Sequence, residues 1–248
     1  MSDKTLQPGT PSDTPLVFHK WSESLAAPPV DYHMHTTYTD GRSDVGEMIE
    51  AAVARGMTEI LFSDHVRHDS SYFPRFVEDV RSRRQSGLTI YVGAEAKVLD
   101  TAGTLDCSPS TASLCDAIIG SVHSAPPEAD GRRPWSNFEA EEALELEFRL
   151  AMAIVTQSRA HILGHPLGIS VAKFDQCPTD RLYELAVACR RHGKAFELNP
   201  RYIARADTWL DVVRRAECPV SFGSDAHEAR DVGGSWEQYA ANRCGVVR

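Results

Sequence analysis

The sequence predicts an α/β fold in which seven parallel strands close into a TIM-like (β/α)7 barrel. From Val30 onward, short apolar runs alternate with longer segments whose apolar residues recur every three to four positions, the pattern of successive β–α units. Seven such runs occur, and strand, helix, strand in unbroken order implies a parallel sheet. The chain of 248 residues, 42% hydrophobic, also has the length at which such barrels commonly form one domain. Pattern alone leaves an open, doubly wound sheet as the alternative.

Taken in order, residues 1–28 are rich in Pro, Ser and Thr and lack periodicity, which predicts a poorly ordered extension ahead of a single domain over 29–248. His19 and Trp21 within it could pack on the body. The strands are expected at VDYHMH (30–35), EILFSDH (59–65), TIYVGAE (89–95), DAIIGSVH (116–123), HILGHP (161–166), AFELNP (195–200) and PVSFGSDAH (219–227). Between them, VGEMIEAAVARG, FEAEEALELEFRLAMAIVTQS and TDRLYELAVACRRHG carry helical periodicity, and Gly56 and Gly193 suit C-terminal caps. The C-terminal DVGGSWEQYAANRCGVVR could supply one last covering helix.

Composition narrows the function. With 26 basic against 35 acidic residues and a formal charge of −9, the surface is not built to neutralise many nucleic-acid phosphates, and a small substrate is expected. No apolar run reaches the length of a transmembrane helix, and the N-terminus lacks the basic-then-apolar plan of a signal peptide, so the expected location is the cytoplasm. The six cysteines form no C-x-x-C pair and read as reduced, mostly buried small residues.

The chemistry gathers at the strand ends. Reading the polar residue that closes each run gives His33 and His35, then His65, Glu95, His123, His165, and Asp225 with His227. In a parallel barrel the C-terminal strand ends share one face, where the loops build the active site, and Asp40 in the first loop reaches the same mouth. Residues i and i+2 of a strand point to one side, about 6.6 Å apart, so both imidazoles of His33-Met34-His35 can face inward, as can Asp225 and His227. Mixed nitrogen and oxygen donors suit Zn, Mn or Fe rather than Ca or Mg. Nine candidates exceed what one tetrahedral ion needs, which implies two or three divalent ions. A single strand-end histidine is more often a hydrogen-bonded structural residue, and that reading stands for His19, His161 and His192, with His68 near enough to the site to stay open. Metal-type ligands at the ends of six of the seven runs are another matter.

The ordered peptides HMHTTYTDG, SDH, GAE, GSVH, GHP and GSDAH resemble the successive motifs of the PHP (polymerase and histidinol phosphatase) superfamily, from about Asp31 to His227. The single-domain length and the stretch VEDVRSRRQSGLTIYVGAEAKVL look similar to its histidinol-phosphate phosphatase branch. The resemblance implies a distorted (β/α)7 barrel and a metal-dependent phosphoesterase that hydrolyses a small phosphomonoester, histidinol-phosphate-like or a nucleotide, with metal-activated water. It also implies a first ion on His33, His35, Glu95 and Asp225, a second on Glu95, His123 and His165, and a third on Asp40, His65 and His227.

No G-x-S-x-G elbow or P-loop is present, which fits a reaction that needs no protein nucleophile. Arg201, Lys97, Arg67 and Arg42 follow strand ends and are the candidate phosphate anchors, Arg201 first among them. Asn199, Glu197 and Ser224 could orient ligands. The Pro- and Gly-rich segment HSAPPEADGRRPWSNF has the length of a substrate-covering loop. Three other readings stay open: an amidohydrolase or deaminase, whose barrels also open with H-x-H; a phosphodiesterase or nuclease; and a degenerate barrel serving as a binding module, disfavoured because every expected ligand position is filled.

Overall fold

The computed structural model describes residues 14–24, 28–127, 133–202 and 206–240. Nine strands, β1 (His19–Lys20), β2 (Val30–Met34), β3 (Glu59–Phe62), β4 (His65–Val66), β5 (Thr89–Lys97), β6 (Ala117–Ser121), β7 (Ile162–Leu163), β8 (Ala195–Leu198) and β9 (Pro219–Phe222), form one sheet among the described residues. Its path runs β1-β9-β8-β7-β6-β5-β3-β2, with β4 beside β5. Apart from β1, every pairing is parallel and follows sequence order. A doubly wound sheet would reverse its order at a switch point, and this one does not.

The ladder does not run unbroken around the barrel. β2 and β9 meet at one isolated parallel bridge, Met34 with Ala226, at the C-terminal end of the strands. At the other end β1 pairs antiparallel with β9. Phe18 meets Tyr32 of β2 at 5.8 Å, and Trp21 meets Phe222 of β9 at 6.1 Å. Residues 14–24 thus sit at the open seam, with Trp21 in the short helix α1 (Trp21–Ser24) only 5% exposed. The expected poorly ordered extension does not hold for this stretch, because the open edge of β9 offers unpaired backbone groups and the seam an apolar slot. Residues 1–13 and 25–27 of that extension lie outside the described residues.

Helices α2 (Val45–Ala54), α3 (Phe73–Ser82), α4 (Pro109–Leu114), α5 (Ala140–Gln157), α6 (Gly168–Phe174), α7 (Thr179–Arg191), α8 (Ala206–Ala216) and α9 (Gly234–Tyr239) complete the units. α2 shows the local logic. Asp44 caps its start and Glu47 reaches back to the Asp44 N–H, while Gly56 ends it at φ 69°, a conformation that costs glycine no Cβ clash. Val45, Met48, Ile49 and Ala52 form the buried stripe between these signals. The core lies between sheet and helices, with Trp209, Tyr91, Phe62, Phe73 and Phe196 fully buried. Of the described cysteines, Cys189 and Cys218 are buried; Cys107, Cys115 and Cys177 are half-buried.

The expected strand over 59–65 is split. Ser63 and Asp64 leave the ladder after β3, and His65 re-enters it beside Glu95. Asp64 is buried and accepts hydrogen bonds from the Thr36 N–H at 3.0 Å, the Thr36 hydroxyl at 3.0 Å and the Thr39 hydroxyl at 2.7 Å. The interruption is where the second strand ties down the loop that carries Asp40.

Candidate metal centre

The strand ends deliver the polar residues to one mouth, and Glu95 at the inner end of that mouth is the hub. Its Oε2 lies 3.5 Å from Nε2 of His33, 3.5 Å from Nε2 of His35 and 2.9 Å from Nδ1 of His65. Its Oε1 lies 3.1 Å from Nε2 of His123 and 3.0 Å from Nε2 of His165, which are 3.3 Å from each other. Asp225 Oδ1 approaches His35 Nε2 at 3.1 Å and His33 Nε2 at 3.7 Å. Asp40 Oδ2 stands 3.3 Å from Nε2 of both His65 and His227.

These spacings suit cations. Donors about 2.0–2.1 Å from a tetrahedral ion are separated by about 3.4 Å, close to the observed separations. His33 and His35 turn their Nε2 atoms toward each other at 3.0 Å, a pairing in which a proton can serve only one ring, while carboxylates crowd the same point. His35 Nδ1 is buried without a hydrogen-bond partner. Among the described residues, three groups could hold a metal ion, each with ligand atoms within 4.8 Å of one another: His35, Asp40, His65 and His227; His33, His35 and Glu95; His65, Glu95 and His123. His65 faces two ways, Nε2 to Asp40 and Nδ1 to Glu95, so geometry alone does not confine it to one group.

Electrostatics follow the same plan. Burial would raise Glu95, but His123, His33 and the hydrogen bonds from His123 and His165 hold it well below the usual carboxylate range. Asp225 is likewise lowered, its burial outweighed by His33 and His35. Burial would depress His33, yet Glu197, Glu95 and Asp225 raise it well above an ordinary imidazole, while His35 is lowered chiefly by burial. The site is a pool of anionic oxygen that draws positive charge. The backbone is bent to suit: His165 at φ 25° and Asp225 at φ 54° lie in the left-handed region, where a non-glycine residue is held only by its surroundings.

Buried carboxylates brace the cluster from behind. Glu197 of β8 accepts from His33 Nδ1 at 2.6 Å and from the His165 N–H. Asp31 accepts from the Ser224 N–H at 3.0 Å, the Ser224 hydroxyl at 2.5 Å and the Gly233 N–H at 2.7 Å, tying β2 to the turn before Asp225; burial nonetheless pushes its carboxyl up to about 6. Asp31 and Asp64 were missed in the sequence, although Asp31, at i−2 from His33 in an apolar strand, carried a signal. The Tyr72 hydroxyl donates to the His65 carbonyl and Tyr202 packs on His165 at 4.9 Å, contacts with no counterpart in the motifs.

Among the candidate anchors, the structure brings Arg201 to the cluster: its Nη1 lies 3.2 Å from Asp225 Oδ2 and 3.2 Å from His227 Nδ1, and the side chain is 47% exposed. Lys97 is drawn to Asp106 at 3.4 Å and Arg42 to Glu228 at 2.6 Å, and Arg67 is exposed. Asn199 accepts from the Arg201 N–H at 3.0 Å. The segment after β6 folds back as a 3-10 turn (Trp135–Asn137), where the Trp135 indole N–H donates to the His123 carbonyl at 3.2 Å. Its residues 128–132 lie outside the described residues. His161 at the opposite end accepts from the Ile118 N–H at 3.0 Å, and His192 ends α7. His68 is exposed, its backbone N–H on Asp106.

The model of the PHP domain matches residues 31–201. A protein of Enterobacter sp. (strain 638) named "Probable phosphatase" is 26% identical over 83% of this chain and 81% of its own. The DNA polymerase/3'-5' exonuclease PolX of Bacillus subtilis (strain 168) is 27% identical over 79% of this chain, which spans 34% of that protein. Among solved structures, the histidinol phosphate phosphatase of Lactococcus lactis, complexed with zinc, L-histidinol and phosphate, superposes with a TM-score of 0.64 at 18% identity, over 87% of this chain and 93% of that one. With the domain matched over most of its length and the strand order of a TIM-like barrel, the chain belongs to the PHP family.

Proposed function

We propose that residues 29–248 form one catalytic domain that hydrolyses a small phosphomonoester, using two or three divalent ions of the Zn, Mn or Fe type. The observation that carries this reading is the convergence of Asp40 and the strand-end imidazoles and carboxylates on Glu95, at separations suited to cations. His33, His35, Glu95 and Asp225 would hold the first ion, Glu95, His123 and His165 the second, and Asp40, His65 and His227 the third. When bound, such ions lower the pKa of water toward neutrality and neutralise phosphate oxygens.

The chain's own groups supply the rest. Glu95 is ionised and spans the two inner groups with its two oxygens. Arg201, half-exposed beside Asp225, is placed to meet a phosphate oxygen at the mouth. Tyr202 packs on the His165 ring and the Tyr72 hydroxyl holds the His65 carbonyl, so aromatic side chains border the mouth on both of these sides.

Similarity to named phosphatases, and to a phosphatase fold seen with zinc, L-histidinol and phosphate, supports the same reading. The test is phosphate release from histidinol phosphate, nucleoside monophosphates, nucleoside bisphosphates and a chromogenic phosphomonoester. Release from at least one of them, abolished in His123→Ala, is expected; no release from any, with cleavage of a diester instead, would overturn it.

A further inference from the structure

His33 presents one ring nitrogen to the cluster and turns the other away. Nε2 lies 3.0 Å from His35 Nε2 and 3.5 Å from Glu95 Oε2, whereas Nδ1 is 2.6 Å from Glu197 Oε1. A neutral imidazole offers a lone pair only on the nitrogen without a proton, so Nε2 can ligate only when the proton resides on Nδ1 and is donated to Glu197. The second oxygen of Glu197 accepts the backbone N–H of His165, the residue bent to φ 25° so that its ring reaches Glu95.

Glu197 is fully buried, and its placement depends on a missing side chain: a Cβ on Gly223 of the neighbouring segment would lie 2.0 Å from Glu197 Oε1 and 2.7 Å from His33 Cβ. The space is kept for the carboxylate. A glutamine there could accept from only one of the two donors and would set its NH2 against the other.

We propose that Glu197 is a positioning residue for two parts of the centre at once, fixing the His33 tautomer and the backbone turn that aims His165. This rests on the metal-site reading above. One carboxylate thereby couples the first group, through a ring, to the second, through a main-chain amide.

The experiment titrates metal-free wild type and Glu197→Gln with Zn2+ by calorimetry and records the absorption spectrum of each after Co2+ loading, with circular dichroism in chelator as the check on folding. The expected result is Zn2+ binding weakened about 10–100-fold in Glu197→Gln and a changed Co2+ spectrum, which reports ligand arrangement and is not moved by stability alone. In a His33→Ala background, Glu197→Gln should weaken the first ion's binding no further. Independently of any folding defect, nitrogen NMR of zinc-loaded wild type should show the His33 proton on Nδ1. Wild-type affinity and spectrum in Glu197→Gln, or a His33 proton on Nε2, would overturn the inference and leave the metal reading standing; wild type that binds neither ion would overturn both.

Discussion

Met34 of β2 and Ala226 beyond β9 form a parallel bridge, flanked by the His35 N–H donating to the Ala226 carbonyl at 2.8 Å and the Ala226 N–H donating to the His33 carbonyl at 3.3 Å. The first and last strands therefore touch at the residues that lie between their functional pairs, His33 with His35 and Asp225 with His227. Closing the seam at this end brings the two pairs together. Backbone bonds at the bridge hold the two pairs side by side, and the Asp31 and Glu197 carboxylates brace them with side-chain hydrogen bonds.

Because closure at the other end of the seam depends on residues 14–24, removing their anchor should loosen the barrel. Trp21→Ala is expected to lower the stability to urea by about 3 kcal/mol, as for other buried large-to-small changes. A loss below about 0.5 kcal/mol would show that the segment rests on the seam without supporting it.

Asp31 is tested separately, since it ties β2 to the turn that carries Asp225. Asp31→Asn keeps the shape but sets an NH2 among the Ser224 and Gly233 donors, and should cost about 1–3 kcal/mol in equilibrium unfolding. An unchanged midpoint would mean that water satisfies those donors equally well.

Metal removal should act on stability as well as on activity. Ions that bind the folded chain alone, present at about 100 times their Kd, contribute about 2.7 kcal/mol each. A chelator should then lower the melting temperature by about 5–10 °C for each ion it removes, with recovery on adding Zn or Mn. Calorimetric scans with no such shift would count against a native metal centre.

Arg201 meets Asp225 and His227 yet keeps nearly half of its side chain exposed, the posture of a group that can turn to an incoming anion. Arg201→Ala is expected to raise KM about 10-fold or more with a smaller change in kcat, and Arg201→Lys to recover part of the loss. Steady-state kinetics showing kcat lowered at constant KM would assign it to the chemical step instead.

The order of the parallel strands was legible from the alternation of apolar runs with helical segments, and six of the seven runs end in residues whose chemistry is out of place in a core strand, from His33 to Asp225. What pattern could not supply was tertiary. Ser63 and Asp64 read as strand in EILFSDH, but the carboxylate is claimed by Thr36 and Thr39 across the mouth, and the ladder breaks there. Residues 14–24 looked unstructured since their order comes from the β9 edge and not from any periodicity of their own. Lys97 looked like an anchor by its place after Glu95, yet Asp106 faces it after a loop that sequence spacing does not position.

The most direct test of the central claim is to strip the protein of metal, restore ions stepwise, and measure bound metal per chain by elemental analysis alongside phosphate release from the best substrate of the panel. The account predicts no release from metal-free protein and release that appears as occupancy approaches two or more ions per chain. Release from metal-free protein, or full activity with no bound metal, would contradict it.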